Sequence, residues 1–154
     1  LVSRQQRDRV ERYLRIGRQE GASLVTGGGR PAIERGWYVQ PTVFADVDNR
    51  MTIAREEIFG PVAALIPYDG EDEAIALAND SEYGLAGAVW TADAERGERV
   101  AGRIRTGSVA VNSPAPLDPY GPFGGFKQSG VGREGGPEAI AAYTEYQTIL
   151  LPSQ

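Results

Sequence analysis

The sequence predicts an α/β fold: a largely parallel sheet with helices on its faces, followed by a C-terminal strand. Three observations predict it. Residues 62–112 alternate strand, helix, strand, helix, strand, which implies right-handed crossovers and parallel pairing. Apolar residues recur at helical spacing near the N-terminus. The 154 residues, 41% hydrophobic and 24% charged, suffice for one domain with a sizeable core.

The elements follow in order. Residues 3–20 read as a helix, with Val10, Tyr13, Leu14 and Gly17 on one face and Arg, Gln and Glu on the other. Gly21 is its stop. Residues 22–26 form a short strand that Gly27-Gly28-Gly29 ends. Trp37-Tyr38-Val39 and Thr42-Val43-Phe44 are extended pieces around Pro41. Residues 62–68 form a strand whose apolar run implies burial on both faces. Residues 71–79 form a helix with Ala74, Ile75, Leu77 and Ala78 inward and Asp69 as a cap. A second strand covers 85–91. A helix capped by Thr91 or Asp93 covers 93–105, and a third strand, ending SVAVN, covers 107–112. Residues 113–136 are one Pro/Gly-rich loop, and loops that long are usually functional or disordered. Pro137 suits the first turn of a helix over 137–143, and residues 146–151 read as a final strand.

Composition excludes several functions. The net charge is −5 and basic residues are interleaved with acidic ones, which argues against a nucleic-acid partner. There is no cysteine and no histidine, so disulfides and thiolate or imidazole metal sites are excluded. The two commonest residues of nucleophilic and acid–base catalysis are also missing. No metal-binding spacing and no P-loop pattern occur. No apolar run is long enough to span a bilayer. The opening LVSRQQRDRVERY resembles neither a signal nor a transit peptide, so a cytoplasmic location without a membrane partner is the expectation. Leu1 opens inside an amphipathic pattern, which suggests a fragment of a longer protein.

GVGREGG (130–136) matches G-x-G-x-x-G by letter. A dinucleotide fingerprint needs a buried strand running into the turn, a helix leaving it, and an acidic residue about twenty positions on. No hydrophobic strand precedes Gly130, Pro137 interrupts the expected helix, and the chain ends too soon. The glycines are better read as allowing tight turns with positive φ. Lys127 and Arg133 flank the stretch. They could hold a phosphate, although carbonyl or ion-pair contacts are the more frequent role. Tyr120 and Phe123 in the same loop could line a pocket.

EEIFGP (56–61) carries two adjacent carboxylates and an aromatic. Glu56 and Glu57 point to opposite faces if the segment is extended, which favours one solvated and one structural carboxylate over a catalytic dyad. A carboxylate-based hydrolase is the weakest of the readings. Glu57 and Phe59 would share a face. A carboxylate there can accept hydrogen bonds from both hydroxyls of a ribose, with the ring as an apolar shelf. Composition leaves this as one option among several.

Five stretches together resemble one family. GWYVQPTVF (36–44), EEIFGPV (56–62), ANDSEYGLAGAVWT (78–91), RIRTGSVAVN (103–112) and PFGGFKQSGVGRE (122–134) are similar, in order and spacing, to the C-terminal part of NAD(P)-dependent aldehyde dehydrogenases. The resemblance runs over essentially the whole chain and corresponds to about the last third of such an enzyme. It implies that residues 1–143 belong to the catalytic domain and 144–154 to a strand that joins a partner subunit, making a homo-oligomer. It implies that Glu57 binds the nicotinamide-side ribose hydroxyls of NAD or NADP and that Phe59 packs beside that ribose and ring. Leu117 and Phe123 would line the aldehyde tunnel, and Asn112 would support the active site from the end of its strand. The implied reaction is oxidation of an aldehyde to a carboxylic acid through a cysteine thioester. The nucleophilic cysteine, the deacylating glutamate, the oxyanion asparagine and the dinucleotide-binding domain of the family are not in this chain. The chain alone is therefore expected to be inactive. The alternative is a self-associating assembly module without catalysis.

Overall fold

A computed structural model describes residues 1–114, 118 and 120–152. The chain divides into two compact units, Leu1–Asp80 and Ser81–Gln154. Among the described residues the expected largely parallel sheet is not formed, and three small sheets stand in its place.

The first unit opens with helix α1 (Arg4–Gln19). Ser3 is its N-cap, and its hydroxyl accepts the Gln6 N–H at 3.1 Å. Val10, Tyr13, Leu14 and Gly17 are buried, the face that the spacing predicts. Gly21, at φ 94, ends the helix as expected. Strands β1 (Ser23–Thr26) and β2 (Thr42–Ala45) pair antiparallel. The short helix α2 (Thr52–Arg55) follows, and β3 (Val62–Ala64) pairs parallel with β2. Met51 gives α2 no side-chain cap, and Glu20 does so from across the unit. Its carboxylate accepts the Thr52 N–H at 2.8 Å and the Thr52 hydroxyl at 2.6 Å. Phe44 and Val47 sit at the centre of the core with Val10, Leu14 and Ile53. The loop after β1 is tied back to α1 by Arg30, whose guanidinium bonds Glu11 and holds its carboxyl below the ordinary value of 4.5.

The strand expected over 62–68 is shorter, and it is not buried on both faces. Val62, Ala64 and Ile66 pack against the core, whereas Leu65 is 53% exposed. Period 2 is obeyed, but within this unit only one face has a layer packed on it. Pairing with β2 extends to Leu65, and Pro67 then removes an N–H. Residues 37–39 form no strand. Helix α3 (Glu71–Asn79) has the predicted bounds but a different cap. Gly70 is the N-cap, at φ 89, and Asp69 donates its backbone N–H to the Glu73 carboxylate rather than accepting.

In the second unit β4 (Tyr83–Gly84) pairs antiparallel with β7 (Phe126–Lys127). Strand β5 (Ala86–Val89) leads through helix α4 (Ala94–Ala101) to β6 (Ser108–Val111), and β5 and β6 pair parallel. This is the one place where the strand–helix–strand expectation is met. Asp93 caps α4, accepting the Arg96 N–H at 3.0 Å. Strand β3 pairs with β2 in the first unit, and β5 pairs with β6 in the second. Residues Pro137–Tyr143 form a 3-10 helix with no buried residue. Residues 144–152 form no strand, since no described residue offers them a partner. Among the described residues no helix is long and apolar enough to cross a membrane, and no acidic group is arranged to hold a metal ion.

Candidate functional site

The segment Glu56–Gly60 lies along α1 and is held residue by residue. The Tyr13 hydroxyl donates to the Glu56 carboxylate at 2.7 Å. The Arg9 guanidinium donates to the Glu57 carbonyl at 2.6 Å. The Gln6 amide donates to the carbonyls of Ile58 and Phe59, at 3.2 and 2.8 Å. Ile58 is buried in the core. A Cβ on Gly60 would lie 2.5 Å from Cγ2 of Val10, so only glycine lets the chain come this close. Residues 6, 9, 10 and 13 form one stripe of a helix.

What this leaves outside is the Glu57 carboxylate and the Phe59 ring. Glu57 is exposed, and its carboxylate has no hydrogen bond or ion pair among the described residues. Phe59 is 71% exposed. Of the two glutamates, Glu56 is the structural one and Glu57 the solvated one, as the sequence suggested. The premise of strict alternation fails, however. Glu56 is extended (φ −108, ψ 150), but Phe59 has φ 57. An aromatic residue in the left-handed region is an outlier that persists only when its surroundings hold it. Here the carbonyls on either side of that residue's N–H are both pinned by Gln6. An exposed acceptor-only group beside an exposed ring suits a ligand with paired hydroxyls on an apolar ring.

Asn112 ends β6 at φ 53, a conformation asparagine tolerates. Its backbone N–H continues the ladder to the Val89 carbonyl at 2.8 Å. Its side-chain amide then makes one more rung: Oδ1 accepts the Thr91 N–H and Nδ2 donates to the Thr91 carbonyl, both at 2.8 Å. The side chain thus fixes the turn between β5 and α4. Replacing Asn112 by Asp keeps the shape and the tolerance of positive φ but loses the donor. The bond is solvent-exposed, so the expected cost at neutral pH is about 0.5–1.5 kcal/mol. It should shrink as pH falls through the range where the new carboxyl binds a proton and can donate again. Urea unfolding of N112D at neutral and acidic pH checks both points.

Phe123 sits in the second unit. Its backbone exchanges two hydrogen bonds with Glu134, at 2.6 and 2.7 Å, closing the loop that carries GVGREGG. With Leu85, Val131, Glu134 and Tyr143 it lines an open cleft of about 470 Å³. Gly130, Gly132, Gly135 and Gly136 all have positive φ, the role in backbone geometry expected of them. The Arg133 guanidinium donates to the carbonyls of Gly125 and Gly132 and lies 5.4 Å over Phe126. Lys127 donates to the Ser81 carbonyl at 2.9 Å. Both cations therefore make carbonyl contacts. Tyr120 is exposed. Leu117 lies outside the described residues. Glu57 and Phe59 are both exposed on one short segment of the first unit, and Asn112 and Phe123 lie in the second. Sequence reasoning did not single out Gln6 and Arg9, and it named Tyr13 only as part of the apolar face, although all three share the helical stripe of Val10.

Comparison with known proteins gives a consistent result. The model of the aldehyde dehydrogenase family matches residues 1–149. A geranial dehydrogenase from Castellaniella defragrans is 56% identical over 151 residues, which is 98% of this chain and 31% of that protein. A betaine aldehyde dehydrogenase from Brucella melitensis is 50% identical over 154 residues, covering 98% of this chain and 32% of that protein. The crystal structure of a Mycobacterium tuberculosis aldehyde dehydrogenase complexed with NAD+ superimposes with a TM-score of 0.95 at 58% identity, over 99% of this chain and 32% of that one. The chain thus spans about a third of the length of these relatives. Within that span, it belongs to the aldehyde dehydrogenase family.

Proposed function

We propose that the chain is the part of an NAD-dependent aldehyde dehydrogenase subunit that follows the catalytic cysteine, and that it supplies the ribose-binding edge of the cofactor site. The observation that carries this reading is the Glu57 carboxylate, exposed and without a described partner, beside the exposed Phe59 ring on a segment clamped to α1. NAD, when bound, accepts the hydride that an aldehyde loses on oxidation to a carboxylic acid. Glu57 accepts the two hydroxyls of the nicotinamide-side ribose, and Phe59 shields that sugar and ring from water. Phe123 and Leu117 line the aldehyde's path. Asn112 supports the active site by fixing the turn after β5. Family membership and the names of the relatives support the reaction class.

The chain has no cysteine, so it cannot form the thioester by itself. The purified 154-residue chain should therefore produce no NADH from any aldehyde. The full-length gene product should oxidise aldehydes with NAD+. Turnover by the chain alone, or none by the full-length protein, refutes this reading.

Residues 144–154 are the proposed oligomerisation strand. Tyr146, Ile149, Leu150 and Leu151 are exposed apolar residues on a segment that pairs with no strand among the described residues. The second reading, a self-associating module, rests on the same residues. It differs in expecting assembly without any NAD-dependent activity of the full-length protein.

A further inference from the structure

We infer that Tyr13 is a positioning residue for the cofactor, acting through Glu56 to set the place of Glu57 and Phe59. The inference rests on the cofactor reading given above. Helix α1 and the segment Glu56–Phe59 run in opposite directions, because residues 13, 9 and 6 grip residues 56, 57 and 58–59 in turn. The contacts at 57, 58 and 59 all fall on backbone carbonyls. Among the described residues, Glu56 is the member of the group hydrogen-bonded through its side chain. Its carboxylate meets the hydroxyl of a residue that is 2% exposed and fixed in the core.

Tyr13 is itself flanked. The Arg9 and Arg12 guanidiniums lie 5.7 and 5.3 Å from its ring centre. The ring itself is 2% exposed and packed in the core, which fixes the position of its hydroxyl. Glu57 is thereby bracketed by two immobile neighbours, the Glu56 side chain on one side and buried Ile58 on the other. Arg9 takes the Glu57 carbonyl, which leaves the carboxylate available. The first glutamate of the EE pair, Glu56, then has a definite task. It fixes the backbone from which Glu57 would meet the ribose, two residues before the strained Phe59.

A buried tyrosine with a satisfied hydroxyl could equally be a core residue and nothing more. Two ligands separate the roles in the full-length gene product. Nicotinamide mononucleotide reports on the half of the cofactor that Glu57 and Phe59 face, and adenosine monophosphate reports on the other half. Tyr13→Phe keeps the ring and removes the hydroxyl. Glu56→Ala removes the acceptor, whereas Glu56→Gln retains a carbonyl oxygen that the Tyr13 hydroxyl can still reach. Calorimetric titration of Y13F and E56A should show affinity for nicotinamide mononucleotide weakened about tenfold, the loss of one well-made hydrogen bond. Affinity for adenosine monophosphate should stay within about twofold, and E56Q should recover most of the loss. Unchanged binding of nicotinamide mononucleotide by Y13F overturns the inference. So does an equal loss for both ligands, which a merely structural role would give. Wild-type protein that binds no nicotinamide mononucleotide overturns the cofactor reading, and this inference with it.

Discussion

Gly107→Ala should be the most damaging single methyl group that can be added to the second unit. A Cβ there would overlap the carbonyl oxygen of Gly124 and lie 2.7 Å from its carbon, with the Leu85 carbonyl oxygen at 3.3 Å. These are backbone atoms, so no side chain can rotate away. The backbone of Gly107 is also fixed, since its N–H donates to the Gly84 carbonyl at 3.0 Å. Gly84 and Gly124 are also tight, though less so: added Cβ atoms would meet the Arg105 carbonyl oxygen at 2.6 Å and the Gly132 carbonyl oxygen at 2.5 Å. Several backbones therefore pass one another with no room for side chains. Overpacking a core usually costs about 1–3 kcal/mol, and a clash with unyielding backbone belongs above that range, at roughly 4 kcal/mol. Gly102→Ala is the control. Its Cβ would meet nothing closer than 3.6 Å, and its φ of −64 suits any residue. Urea unfolding should show G107A strongly destabilised and G102A close to wild type. Equal midpoints would mean that the three backbones are not packed as described.

The fold was legible wherever local chemistry decides it. The buried stripe of α1 follows from a 3.6-residue period, and the bounds of α3 from its apolar residues and the Asn79 end. The pair β5 and β6 follows from the strand–helix–strand order. Pairing between distant strands was not legible. Nothing in Val62–Ala64 says that it prefers Thr42–Ala45 to Ala86–Val89, because all three are short and apolar, and a parallel register carries no turn to mark it. Burial of 62–68 on both faces was inferred from composition. Composition cannot tell a face that is covered from one that only could be, and Leu65 shows the difference.

The candidate site was legible as a motif and not as a geometry. EEIFGP named the residues, but the positive φ of Phe59 has no sequence signal, since nothing in an aromatic residue asks for it. It arises from contacts with a helix some fifty residues earlier in the chain, for which Gln6 is 53 positions from Phe59. GVGREGG shows the opposite case. Its letters suggested a cofactor turn, while the missing strand and helix gave the better reading, and its glycines serve backbone geometry.

Gly60 and Val10 offer the second large effect, and it falls on the clamp itself. Val10 is fully buried, and the Cβ of an alanine at position 60 would sit 2.5 Å from its Cγ2 and 3.1 Å from its Cγ1. Either Val10 is displaced in the core or residues 56–60 lift from α1. Both are unfavourable, and G60A should cost about 1–3 kcal/mol. Val10→Ala alone removes two buried methyl groups and should cost about 2 kcal/mol or slightly more. The two changes are coupled. With Val10 shortened, its Cβ remains at 3.4 Å, which is ordinary contact. The alanine methyl then fills part of the space that the valine vacates. The double variant should therefore be more stable than the sum of the single costs implies, by about 1 kcal/mol or more. A strictly additive cycle in urea unfolding would show that the segment does not rest on Val10. The same four proteins carry a functional readout. If residues 56–60 lift in G60A, Glu57 and Phe59 move with them, and affinity for nicotinamide mononucleotide should fall in that variant and recover in the double. Destabilisation confined to the core would lower the unfolding midpoint and leave that affinity unchanged.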